Sequence, residues 1–90
     1  MPSSDATRRL RADAVWREAD GEVIAIDDQL TNYVSTYGSG ALLWRRLGDG
    51  ASATVLAARQ VAEYGIERGR AERDVAAFLE ELDRMGFLEP

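Results

Sequence analysis

Ninety residues with a net charge of −5 are enough for one small domain and too few for two. The chain has no cysteine and no histidine, which excludes disulfides, thiolate nucleophiles, Cys/His zinc sites and imidazole acid–base catalysis. The acidic balance also opposes general nucleic-acid binding, because phosphate neutralisation needs clustered Lys and Arg.

Residues 1–12, MPSSDATRRLRA, are polar with Leu10 as a bulky apolar anchor, and read as a flexible N-terminal tail before a single domain at 13–90. Arg8, Arg9 and Arg11 form a basic cluster that could touch an acidic partner, but the low apolar content favours a solvated arm. The segment lacks the apolar core of a signal peptide, and no run approaches the roughly 20 residues of a membrane span. A soluble, cytoplasmic protein without membrane association is expected.

Ala14 to Glu18 and Glu22 to Ile26 are short β-prone runs separated by Asp20-Gly21, a favoured turn pair, so a β-hairpin is predicted. Ile24 and Ile26 share one face of the second strand, and Val23 and Ala25 the other. Both faces being apolar predicts a central strand with helices on one side. Asp27-Asp28-Gln29 reads as a solvated turn, since a cation site needs more oxygen ligands at spaced positions. A third strand follows over Asn32 to Thr36, rich in β-branched and aromatic types.

Gly38 and Gly40 break that run, with Ser39 between them placed to cap a helix. Leu43, Trp44 and Leu47 then recur at helical spacing, predicting a first helix over Gly40 to Leu47 that stops at Gly48-Asp49-Gly50. A second helix is expected from the Ser52 cap to Tyr64, with Val55, Ala58 and Ala62 on its packing face and Gly65 ending it. The third runs from about Arg70 to Met85, with Ala71, Val75, Phe78, Leu79, Leu82 and Met85 keeping the i, i+3, i+4 rhythm. Glu80 sits four residues before Arg84, the favourable order for a helical ion pair. Gly86 closes this helix, and Phe87-Leu88 can tuck beneath it. Three antiparallel strands followed by three helices make an α+β, winged-helix-like fold.

The chemistry-bearing candidates are few. Ser39 between two glycines suggests a nucleophile elbow, but the signature needs a later histidine and none exists. Gly38-x-Gly40 lacks the third glycine and the βαβ setting of a dinucleotide site. The five acids of the third helix, Glu72, Asp74, Glu80, Glu81 and Asp83, read as a charged outer face. No catalysis, cofactor or metal is expected.

Tyr33, then Gly40-Ala41 and Trp44, stand at the spacing of a family pattern that runs Tyr, Leu-Asn, Gly-Ala-x-x-Trp, although Thr36-Tyr37 replaces Leu-Asn. Asp20-Gly21, Ile26-Asp27, Asp74-Val75, Phe78-Leu79 and Gly86-Phe87-Leu88 fall in the same family's order. Over residues 14–88 the chain thus resembles the PqqD-like family, small peptide-recognition elements of ribosomal peptide maturation. The resemblance implies binding of a precursor's leader peptide between the third strand and the third helix. It also implies delivery to a modifying enzyme such as a radical SAM maturase, a cyclase or a leader peptidase. Carried onto this chain, the peptide-binding residues are Asn32, Tyr33, Val34, Ser35 and Thr36 on the strand, and Arg73, Asp74, Ala77, Phe78 and Glu81 on the helix.

Independent physics permits this mode, because an outer strand of a three-stranded meander presents unpaired backbone groups to which a peptide can add. Tyr33, Val75, Phe78, Leu79 and Leu82 are equally expected as core residues of any such fold. Two other readings stay open. One is a winged-helix DNA-binding regulator, opposed by the acids of the third helix. The other is a structural subunit whose free strand docks on a larger enzyme or on a second copy as a homodimer.

Overall fold

The Asp20-Gly21 pair sets the geometry of the whole sheet. Both residues have positive φ, 55° and 79°, so they form a two-residue type I′ turn whose twist suits a tight hairpin. The turn joins β1 (Val15–Ala19) to β2 (Glu22–Ile26), and β3 (Tyr33–Tyr37) adds on the far side of β2. The sheet is antiparallel in the order β1-β2-β3, with an unbroken register from Val15↔Ile26 to Ala19↔Glu22 and from Glu22↔Tyr37 to Ile26↔Tyr33. The computed structural model describes residues 5–26 and 33–90. The Asp27-Asp28-Gln29 turn and the strand start at Asn32 lie outside the described residues, as do residues 1–4 of the expected tail.

Three helices follow: α1 (Ser39–Asp49), α2 (Ala53–Tyr64) and α3 (Arg68–Arg84). The α+β order of a three-stranded sheet and then three helices is the one predicted. Ser39 does not cap α1; Gly38 occupies the cap position and Ser39 is the first helical residue, with no side-chain cap bond. The helix also runs on through Gly48 and Asp49. Ser52 does cap α2, its hydroxyl accepting from the Val55 N–H at 3.2 Å, and Gly65 ends that helix in the left-handed conformation. At the end of α3 the Gly86 N–H donates to Asp83 and the Phe87 N–H to Leu82, a Schellman closure that carries Phe87 and Leu88 into the core.

The helices cover one face of the sheet. Val23 and Ala25 of β2 point into them and are buried with Trp44, Leu47, Leu56, Val75, Leu82 and Phe87. Trp44 sits at the centre, edge-on to Trp16 of β1 at 6.0 Å and to Phe87 at 5.4 Å. Its buried indole N–H finds no acceptor among the described residues.

Several expectations need correction. The packing face of α2 is Leu56, Ala57 and Gln60, not Val55, Ala58 and Ala62, which are exposed. Gln60 decides the rotation, because its buried amide donates to the Ser39 carbonyl at 3.1 Å and ties α2 to the start of α1. The segment read as a free tail is bonded in: Arg8 pairs with Ala51 and Leu10 with Leu88, and Leu10 is only 5% exposed. Its arginines are engaged within the chain, Arg8 with Asp83 at 3.5 Å, Arg11 with Asp13 at 3.1 Å, and Arg9 with the Asp49 carbonyl. Arg84 bonds Glu81 rather than Glu80. Tyr33, expected in the core, is 63% exposed because the register turns it to the uncovered face.

Candidate functional site: the open edge of the third strand beside the last helix

The hairpin turn decides which backbone groups of β3 are free. A two-residue loop closes on a hydrogen-bonded pair, so Ala19↔Glu22 is such a pair, and bonded and non-bonded pairs alternate from there. Glu22, Ile24 and Ile26 therefore bond towards β1, leaving Val23 and Ala25 to bond towards β3. Their partners are Thr36 and Val34. The N–H and C=O groups of Tyr33, Ser35 and Tyr37 then point away from the sheet, at an edge with no strand beside it among the described residues.

Side chains alternate the other way. Val34 and Thr36 lean to the helix side and are half-buried, while Tyr33, Ser35 and Tyr37 stand on the outer face and are exposed. The Ser35 hydroxyl donates to the Glu22 carboxylate across the sheet.

Helix α3 borders this edge through one flank. With about 100° between successive helical residues, burial of Ala71, Val75, Leu79 and Leu82 fixes the core direction. Phe78, Met85, Asp74 and Glu81 follow round one side, and Glu72 and Asp83 round the other. The second side meets the N-terminal segment, since Asp83 pairs with Arg8. The first meets β3. A methyl group placed at Gly40 would lie 3.7 Å from the Phe78 ring and collide with the Thr36 hydroxyl, so strand, helix and the start of α1 converge there.

Of the residues predicted from sequence, the structure thus brings Thr36 and Phe78 together at Gly40, leaves Val34 half-buried on the helix side of the same strand, and sets Asp74 and Glu81 along the Phe78 flank. Ala77 and Arg73 stand farther round, towards solvent, and Tyr33 and Ser35 offer their backbone to the edge and their side chains to the outer face. Asn32 lies outside the described residues. Tyr37 and Met85 were not singled out. Continuing the alternation from Tyr33 and Ser35 finds Tyr37, and the helical period already contained Met85.

The groove carries little unbalanced charge. Asp74 faces Arg70 at 3.7 Å, and Glu81 accepts from Arg84. Such exposed pairs are worth at most about 1 kcal/mol each, so their partners can exchange with groups on an incoming chain. The site offers outward-facing main-chain groups of β3 beside the half-buried side chains of Val34, Thr36 and Phe78. Among the described residues no group of three or more acidic side chains could hold a metal ion, and no helix is long and apolar enough to cross a membrane. A wider cleft of about 760 Å³ at the opposite flank of α3, among Arg8, Arg9, Asp83 and Glu89, does not adjoin β3.

The family model for coenzyme PQQ synthesis protein D (PqqD) matches residues 22–88. A lasso peptide synthetase B1 complexed with the leader peptide is 33% identical, superposes with a TM-score of 0.81, and is matched over 94% of this chain and 100% of that one. TbiB1, in complex with the TbiA(beta) leader peptide, is 27% identical with a TM-score of 0.82, over 90% of this chain and 94% of its own. No curated protein matches the chain.

Proposed function

The chain belongs to the PqqD family, and from that premise we propose that it is a non-catalytic protein that binds the leader of a ribosomally synthesised precursor peptide and presents it to a modifying enzyme. The observation that carries this reading is the open edge of β3, whose Tyr33, Ser35 and Tyr37 backbone groups face no strand among the described residues, while Phe78 of α3 reaches Gly40 next to Thr36 of the same strand. An extended leader adds there as a fourth strand. Backbone bonds supply affinity, and alternate side chains drop between β3 and α3 onto Val34, Thr36 and Phe78. Tyr33 extends the edge at one end, and Asp74 and Glu81 line the helix side, where they meet peptide charges; Arg73 and Ala77, farther round the helix, meet only the parts of the peptide that reach past this flank.

The two structural neighbours, each solved with a leader peptide, support the reading. DNA binding has no comparable support, because acids outnumber arginines on α3 and Arg68, Arg70 and Arg84 are each paired with one of them. The partner enzyme is a maturase, cyclase or leader peptidase that acts on the captured precursor, and the protein works in the cytoplasm beside it.

The test is a titration of the purified chain into a fluorescein-labelled leader from the precursor encoded beside it. Saturable binding of the leader, and none of the core peptide alone, is expected. A leader that binds no better than the core peptide would refute the proposal.

A further inference from the structure

The face of the sheet turned away from the helices is more apolar than a solvated surface requires. Tyr33, Tyr37 and Val15 are 63%, 72% and 62% exposed there; half-buried Ile26 lies between Val15 and Tyr33 with half-buried Ile24 beside it, while Arg17 stands opposite Ile24 and Glu22 opposite Tyr37. A shallow cavity of about 240 Å³ opens beside Val15, Ile24, Ile26 and Tyr33, its walls almost wholly apolar. Contiguous exposed apolar surface on a small protein usually marks a contact.

Resting on the strand-addition reading, we infer that this outer face reads a second set of leader side chains, with Tyr33 and Tyr37 as the specificity-determining residues. Both tyrosines belong to the subset of β3 whose backbone faces the open edge. In an added antiparallel strand, the residue directly opposite each bonds to it and projects its side chain to the same face, with Cβ atoms about 4.5–5.5 Å apart. The residue opposite Ser35 lies between them and meets the Ser35 hydroxyl and the Glu22 carboxylate. Leader residues at i and i+4 are therefore apolar or aromatic, and the residue at i+2 is polar or small. Those at i+1 and i+3 turn to the other face and pack on Thr36 and Val34. Recognition is two-sided, and the leader carries a period-two signature five residues long.

The test uses a display library of random dodecapeptides selected on the full chain, followed by titration of a synthetic consensus peptide. Wild type is expected to enrich peptides with apolar residues at i and i+4 around a polar or small i+2. The double variant Tyr33→Thr, Tyr37→Thr keeps β-prone residues at exposed sites, and a thermal melt checks its folding. It should lose the preference at i and i+4, keep that at i+1 and i+3, and bind the consensus peptide about tenfold more weakly or worse. Ser35→Pro should bind the consensus peptide about tenfold more weakly and enrich it correspondingly less. If the double variant selects and binds as wild type while Ser35→Pro does not, the outer face plays no part and strand addition alone survives. Sedimentation of both forms then assigns the face: a change from dimer to monomer gives it to a second copy, and an unchanged mass to a protein partner, either of which overturns the inference. If no peptide is enriched in a Ser35-dependent way, strand addition and this inference fall together.

Discussion

Proline at Ser35 should weaken leader binding in a protein that still folds, whereas proline at Val34 should damage the fold itself. The hairpin register places the Ser35 N–H on the open side of β3 and the Val34 N–H against Ala25 of β2. Ser35→Pro therefore breaks no ladder bond, and an edge strand tolerates the ring. In the complex it deletes one backbone bond and puts a Cδ where the peptide carbonyl must approach, which disturbs a second. At about 0.5–1.5 kcal/mol per bond, the loss is about 1.4 kcal/mol or more, a tenfold weaker Kd. Val34→Pro instead orphans the carbonyl of buried Ala25, at about 1–3 kcal/mol of stability. Fluorescence anisotropy of a labelled leader measures the first effect and thermal melts the second. A folded Ser35→Pro variant that binds like wild type refutes strand addition at this edge. A Val34→Pro variant that melts like wild type refutes the assignment of which groups face it.

Other perturbations probe the frame around the groove. Gly40→Ala should cost about 1–3 kcal/mol, because its methyl group collides with the Thr36 hydroxyl, and the added change Thr36→Ala should recover part of the loss in chemical denaturation. Leu10→Ala should cost about 2–5 kcal/mol in the same assay, as a core truncation and not a tail substitution. The Asp5 carboxylate is held below its ordinary pKa by hydrogen bonds from Thr54, its side chain first and then its backbone N–H. A depressed pKa means the carboxylate stabilises the fold above its unfolded-state value and loses that contribution as pH falls through the folded one. Melts taken across the acidic range should show that loss in wild type and not in Asp5→Asn.

Local chemistry made much of this fold legible. Asp20-Gly21 announced the hairpin, alternation announced β2, Ser52 and Gly65 bracketed α2, and the period of α3 identified its buried stripe. Where sequence reading failed, a non-local partner made the choice. In alanine-rich α2 any of several faces is apolar enough, and the bond from Gln60 to the Ser39 carbonyl selects one. Leu10 is buried by pairing with Leu88 at the other end of the chain, which no local pattern records. Glu80 and Glu81 both lie within reach of Arg84 along a helix, and side-chain geometry picked Glu81. Tyr33 looked like a core aromatic until the register fixed its parity. The candidate site shows the same division: a meander implies an open edge, but only the packing of Phe78 beside Gly40 reveals which flank of α3 adjoins it.

Amide hydrogen exchange followed by NMR, with and without saturating leader, tests the central claim most directly. In the free protein Val34 and Thr36 should exchange slowly and Tyr33, Ser35 and Tyr37 quickly, because only the first pair bonds to β2. Leader binding should slow Tyr33, Ser35 and Tyr37 selectively, completing an alternation of old and new protection along one strand. Saturating leader that leaves the Ser35 and Tyr37 amides exchanging as fast as before would contradict strand addition at β3.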